Sequence, residues 1–274
     1  MATARMYVDT HTHLDLHDEL SVAEQLDAAR AAGVTTVITV GTDVASSTQV
    51  VATAAAHDDV WAVVGIHPND ADDATDEALA AIDALAVEPR VVGIGETGLD
   101  YYRDWAHKEA QARSFRAHIA MAKRHDLALV IHCRDTAHGG VAGDAWRDVL
   151  RILEAEGAPA RTIMHCFSGD LSITKACVSA AYFMSFAGNV TYKNADALRM
   201  AAASAPLGLI LTETDAPFLA PVPVRGQKNQ AANVVHTLAC LAEVRGEDPD
   251  ELAAAVNANA RRAFALPAAD GVAA

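Results

Sequence analysis

Residues Val22 to Val40 read VAEQLDAARAAGVTTVITV, and this stretch holds the unit from which the chain is built. From Val22 to Ala32 leucine and alanine return every three to four residues, the spacing of one helical face. Val34 to Val40 is a short run rich in β-branched residues, the composition of a strand. A helix leading straight into such a run is the crossover that a parallel sheet requires. Working outward, strand-like runs recur at Met6 to Thr10, Trp61 to Ile66, Val91 to Gly95, Ala128 to Ile131, Thr162 to Met164, Tyr182 to Ser185 and Leu207 to Leu211, which with Val34 to Val40 makes eight. Helical periodicity fills Asp76 to Ala86, His107 to Arg124 and Ala145 to Glu156 between them. Eight alternating units in 274 residues predict an α/β fold of the (β/α)8 TIM-barrel type. A doubly wound sheet would carry fewer strands and a G-x-G-x-x-G after the first one, and none is there. With no composition break, residues 1–266 read as one domain and 267–274 as a flexible tail with little to pack. The Gly-rich stretch His138 to Gly143 and the Pro-rich stretch Pro217 to Pro223 read as functional loops.

Composition excludes several classes. Hydrophobic residues make up 51% and charged residues 21%, which suits a chain that folds around its own core and rules out fibrous or disordered architectures. The four cysteines, Cys133, Cys166, Cys177 and Cys240, form no C-x-x-C pair, which argues against a disulfide framework or a zinc knuckle and for a reducing compartment. The opening MATARMYVDT has no apolar stretch and no later run reaches membrane-spanning length, so the expected location is the cytoplasm with no membrane partner. Twenty-one basic against 36 acidic residues give a net charge of -15, which repels nucleic acid at long range. Any polyanionic substrate must then be held locally, by cations or a few clustered basic groups in one cleft.

In a barrel the active site lies at the C-terminal ends of the strands, so the groups that end each run matter most. The first run ends Asp9-Thr10-His11-Thr12-His13, the third Gly65-Ile66-His67-Pro68, the fourth Gly95-Glu96, the fifth Ile131-His132, the sixth Met164-His165, and the eighth continues to Glu213-Thr214-Asp215. Buried strands cannot carry so many imidazoles and carboxylates unpaired, because each costs several kcal/mol. A metal centre satisfies them together. His11 and His13 are two apart and face the same way on an extended strand. With Glu96, His132, His165 and Asp215 they make four imidazoles and two carboxylates, a set that suits two ions better than one. His67, followed by proline, reads as a substrate contact or a support for a ligand. His57, His107, His118, His125 and His236 lie in or beside helical stretches, where a solvated or capping histidine is expected, and they receive no role. Cys133 and Cys166 directly follow His132 and His165, so strand alternation turns them away as packing residues.

The strings VDTHTHLD, GIHP, GETGLDYY, IHCRD, MHCFSG and LTETDAPFLAPVPVRGQKN, in this order from Val8 to Asn229, resemble the TatD family of metal-dependent hydrolases over nearly the whole chain. The resemblance implies a TIM barrel with a two-metal centre and nuclease activity on DNA, typically as a 3′ to 5′ exonuclease. It places His11, His13 and Asp215 on one ion, His132 and His165 on the second, and Glu96 between both. Members are described as Mg²⁺-dependent, whereas a His-rich site on ligand softness prefers Zn²⁺ or Mn²⁺, so the identity of the two divalent ions stays open among the three. Two departures, IHCRDTAHGGVAGDAW in the fifth-strand loop and RGQKNQAAN in place of the more usual RGKRNEP, fall near the substrate and bear on specificity.

These residues have readable tasks in a hydrolase. Asp215 and Glu96 are the catalytic carboxylates, with Asp215 orienting the attacking water and taking its proton. Tyr101, Tyr102, Arg103, Arg134, Lys193, Arg225 and Lys228 lie in the loops after the strands, where basic groups clamp phosphates and a ring stacks on a base. The expected partner is DNA, gripped at single-stranded ends; the oligomeric state is not set by the sequence. Two other readings stay open: hydrolysis of an amide, lactone or aminoacyl ester by the same metals, and a non-catalytic metal-binding protein.

Overall fold

A computed structural model describes residues 5–103, 105–136 and 143–267. Residues 138–142 of the Gly-rich loop and the tail from residue 268 onward lie outside the described residues. Eight strands, β1 (Tyr7–Thr12), β2 (Val34–Val40), β3 (Val60–Val64), β4 (Val91–Asp100), β5 (Ala128–Arg134), β6 (Thr162–Met164), β7 (Phe183–Phe186) and β8 (Ile210–Thr212), pair in parallel in sequence order. The ring closes where Thr12 bridges Ala216 and the Asp215 N–H donates to the His11 carbonyl at 2.9 Å. This is the (β/α)8 TIM barrel.

The outer layer is α1 (Val22–Ala31), α2 (Val44–Ala56), α3 (Asp76–Leu85), α4 (Lys108–His125), α5 (Asp144–Glu156), α6 (Leu171–Ser179), α7 (Asp196–Ser204), α8 (Val234–Arg245) and α9 (Pro249–Phe264). Local sequence sets where several of them start. Ser21 and Glu24 form a reciprocal capping box on α1, Asp43 and Ser46 do the same for α2, and Asp248 caps α9 ahead of Pro249. No described helix is long and apolar enough to cross a membrane. Strands covered on both faces need continuous apolar runs, and Val37, Ile38, Val63, Ile94, Leu129, Ile131, Met184 and Leu211 are all buried.

The structure departs from the sequence expectation at β4. The sequence run closes at Gly95, yet the strand continues through Glu96 to Asp100. At Gly98 the backbone has φ +136°, and a Cβ there would collide with the His132 carbonyl oxygen of β5. Glycine lets the two backbones press together and keeps Glu96 inside the strand rather than in a loop. At the other end of the chain, Leu207–Leu209 is a short 3-10 turn that feeds β8.

Candidate metal centre

The C-terminal mouth of the barrel opens into a cleft of about 640 Å³. Glu96 stands at its floor with each carboxylate oxygen facing a different group of imidazoles. Oε2 lies 3.3 Å from His11 Nε2 and 3.6 Å from His13 Nε2. Oε1 lies 2.7 Å from His132 Nδ1 and 3.0 Å from His165 Nε2. Asp215 joins the first group, with Oδ1 3.6 Å from His13 Nε2 and 3.9 Å from His11 Nε2. Its backbone, at φ +53°, is left-handed, a conformation aspartate tolerates better than most residues, and it turns the chain out of the barrel just after β8.

The donor chemistry fits a divalent cation. His13 Nδ1 lies 2.8 Å from the Val40 carbonyl, so its hydrogen sits on Nδ1 and Nε2 presents a lone pair to the cleft. That Nε2 is 3.3 Å from His11 Nε2, and His11 Nδ1 is buried with no hydrogen-bond partner among the described residues. Two ring nitrogens at that separation against a carboxylate are poorly satisfied by protons alone and well satisfied by a shared cation. Ligand atoms of His11, His13 and Asp215 lie within 4.8 Å of one another, as do those of His67, Glu96 and His132, and those of His11, His165 and Glu213.

Burial opposes ionisation of Glu96, yet His165, His67 and His11 hold its carboxyl well below the usual range. Burial would push His165 down, but Glu213 and Glu96 carry it well above the ordinary histidine range.

Three supporting residues were not expected from the sequence. Glu213 Oε1 lies 2.9 Å from His165 Nδ1 and also accepts the Cys166 N–H at 2.8 Å. Asp100 Oδ2 lies 3.2 Å from His132 Nε2, while Oδ1 accepts the N–H groups of Tyr102 and Arg103 at 2.9 and 3.0 Å. Asp9, fully buried at the β1–β8 seam, accepts from Thr214 Oγ1 at 2.6 Å and from the Thr214 N–H at 2.9 Å. Carboxylates behind ligating histidines fix ring orientation and raise basicity. Spacing held a signal for two of them, since Asp100 is four residues beyond Glu96 on one strand and Glu213 is two before Asp215.

His118 corrects the expectation of an idle helical histidine. It is fully buried in α4, its Nδ1 donates to the Ser114 carbonyl at 2.7 Å, and its Nε2 accepts the Ile66 N–H at 3.0 Å. Burial pushes it down to about 4, so it is neutral and pins the residue before His67. His67 in turn accepts the Asn69 N–H on Nδ1 at 3.0 Å, which leaves Nε2 as the protonated nitrogen. That nitrogen lies 3.5 Å from Glu96 Oε1, as a donor rather than a lone pair. Cys166 also differs from expectation. Its φ of +43° breaks strand alternation, so it lines the cleft with Cys133 instead of turning away.

The basic residues divide. Arg103 and Arg134 line the cleft, with Arg134 stacked on the Tyr102 ring at 3.8 Å. Lys193, Arg225 and Lys228 do not line it. Arg225 stacks on Tyr192 at 3.9 Å, Lys193 is exposed, and Lys228 pairs with Asp18.

With this geometry in place, the comparisons with known proteins are decisive. The family model described as TatD related DNase matches residues 8–265. The chain belongs to the TatD family. It is 41% identical over 269 residues to a Mycobacterium tuberculosis protein named uncharacterized metal-dependent hydrolase TatD, covering 94% of this chain and 98% of that one. It is 36% identical over 241 residues to the Salmonella typhimurium protein named 3′-5′ ssDNA/RNA exonuclease TatD, covering 85% and 89%. Among solved structures, the TatD homologue YjjV of Escherichia coli superposes with a TM-score of 0.87 at 30% identity, covering 95% of this chain and 98% of that one. The protein is thus a TatD metal-dependent hydrolase.

Proposed function

We propose that this TatD protein is a divalent-metal-dependent phosphodiesterase that removes nucleotides from the 3′ ends of single-stranded DNA. The observation that carries the reading is the divided carboxylate of Glu96, one oxygen toward His11 and His13 and the other toward His132 and His165. This arrangement supports a pair of cations, one among His11, His13 and Asp215 and one between His132 and His165, with Glu96 shared. Divalent cations, if held by these residues, would supply a water of lowered pKa and offset charge on the phosphoryl oxygens. Zn²⁺ or Mn²⁺ suits so many imidazoles better than Mg²⁺.

The side chains do the rest. Asp215 is held below the usual carboxylate range, its burial outweighed by His13, His165 and His11, so it is ionised and able to orient the attacking water and accept its proton. Arg103 and Arg134 have no carboxylate partner among the described residues, so both guanidinium groups are free to take phosphate oxygens. His67 Nε2–H adds a neutral donor beside them. The Salmonella relative's name supports the single strand and the 3′ polarity. The test is to incubate protein loaded with Mg²⁺, Mn²⁺ or Zn²⁺ with oligonucleotides labelled at one end or the other. A ladder shortening from the 3′ end is expected. Intact strands with all three metals, together with hydrolysis of a lactone or aminoacyl ester, would replace this reading by the other hydrolase chemistry.

A further inference from the structure

Exposed aromatic rings stand on two sides of the metal centre. Tyr102 and Trp105, 45% and 64% exposed, follow β4; Phe218, 53% exposed, follows β8. In a ring of eight strands in sequence order, β4 and β8 are diametrically opposed, so the rings occupy opposite rims with the histidines between them. Both rims are braced from beneath. The buried side chain of Gln111 accepts the Asp100 N–H at 2.9 Å and donates to the Asp100 and Ala106 carbonyls at 3.1 Å, clamping both ends of the loop that carries Tyr102, Arg103 and Trp105. On the other side, buried Asn229 donates to the Thr214 and Phe218 carbonyls at 2.9 and 2.7 Å. The Phe218 ring approaches His13 edge-on at 6.3 Å. Rings exposed to water yet anchored this firmly lose little freedom when they stack on a ligand.

The rims differ in charge. Arg103 lies 4.4 Å from the Trp105 ring and Arg134 lies 3.8 Å from Tyr102, whereas Phe218 has the aliphatic Leu16 and Leu219 beside it in the cleft lining. A strand end placed across the centre has phosphates continuing in one direction only. We propose that the β4 rim binds the retained strand, with its base on Trp105 and its phosphates on Arg103 and Arg134, and that Phe218 stacks on the base of the 3′-terminal nucleotide to be released. This rests on the nuclease reading and adds two base sites to it, one on each side of the bond that is cut. The net charge of -15 limits the footprint to these few nucleotides, because further phosphates meet a repelling exterior.

The test has a binding arm and a cleavage arm, both on the metal-loaded protein. Trp146 is buried and Trp61 lies under the Arg90 guanidinium, so Trp105 is the tryptophan open to a ligand. An oligothymidylate ending in a cleavage-resistant phosphorothioate should quench tryptophan fluorescence in the wild type and leave Trp105→Phe unquenched. In the cleavage arm, removing the 3′-terminal base from the substrate should raise KM about ten-fold in the wild type, the usual worth of one stacked base. Phe218→Ala should abolish that difference, and Trp105→Ala should do the same for removal of the adjoining base, with Trp105→Phe restoring most of it. Quenching without cleavage would keep the base sites and remove the nuclease chemistry. Cleavage without quenching, or with unchanged base discrimination in the alanine variants, would overturn the base sites and leave the nuclease standing. A strand outcompeted by an apolar peptide would assign the rims to a protein partner and likewise overturn the proposal.

Discussion

The floor of the cleft and its rims are built by opposite rules. On the floor, His11, His13, Glu96 and His165 are each at most 3% exposed, with His13 Nδ1 on the Val40 carbonyl and His165 Nδ1 beside the Glu213 carboxylate. On the rims, Trp105 and Phe218 are more than half exposed, and the bracing runs through backbone carbonyls, those of Ala106 beside Trp105 and of Phe218 itself. Burial makes each floor residue depend on several others, so one change there disturbs the whole cluster. A rim side chain touches little and can be exchanged at small cost to the rest. On the proposed function, chemistry would thereby be fixed by the barrel and choice of substrate left to the loops.

The sharpest way to break this contrast is Glu96→Ala. Losing a carboxylate shared by two groups of imidazoles should lower turnover by at least about a thousand-fold and reduce the bound metal, while the melting temperature changes little because the aliphatic core lies below. Metal content by mass spectrometry and thermal melts decide it. Two ions and most of the turnover retained would remove Glu96 from its central position. Chelation should likewise leave a folded protein, and global unfolding would make the cluster structural instead of catalytic.

Glu213 extends the comparison one layer outward. With its carboxylate 2.9 Å from His165 Nδ1, Glu213→Ala should weaken metal binding by about 10- to 100-fold, as removal of a carboxylate behind a ligating histidine does, with Glu213→Gln in between. Calorimetric titration of the metal measures this without reference to activity. Unaltered affinity in both variants would reduce Glu213 to packing.

His118 tests whether the layer beneath the cleft is as sensitive. Its ordinary value is 6.5 and burial lowers it to about 4. The unfolded chain therefore takes up a proton in a range where the folded chain does not. Its contribution is fully present above pH 6.5, is lost as pH falls toward 4, and changes no further below that. The gap is worth about 3 kcal/mol across the window. Chemical denaturation at several pH values should show the slope, and His118→Gln should flatten it. An equal slope in the variant would move the effect to another group.

Legibility of the sequence follows the same division. The eight strands stand out because strands buried on both faces need continuous apolar runs, and the histidines of the cleft stand out because they interrupt such runs at their ends. The end of β4 was hidden by glycines that signal turns in water but here allow β4 and β5 to touch. Asp100 and Glu213 carried only a spacing signal, because their partners His132 and His165 are far away in sequence and are brought close only by pairing of the strands. His118 was hidden because a helical histidine looks the same whether it faces solvent or a strand. On the rim, nothing in the sequence separates Arg103 from Lys228, since both are basic loop residues and only folding pairs Lys228 with Asp18 while leaving Arg103 in the cleft.

That last difference gives the smallest predicted effect and the finest test of the rim. Arg103→Ala should raise KM for a single-stranded oligonucleotide several-fold and leave kcat nearly unchanged, because the contact binds substrate and transition state alike. Lys228→Ala, with its ammonium already engaged by Asp18 and the cleft lined by others, should change KM by less than about two-fold. Arg225→Ala should behave like Lys228→Ala, since its guanidinium lies on Tyr192 outside the lining. Salt separates contact from general attraction. Each phosphate contact on a single strand contributes a slope of about -0.7 in log affinity against log salt, so Arg103→Ala should make the dependence shallower by about that amount and the other two should not. If all three variants lose the same slope, the strand is drawn in by a diffuse field over the mouth, and the division of the basic residues into cleft and exterior has no bearing on binding.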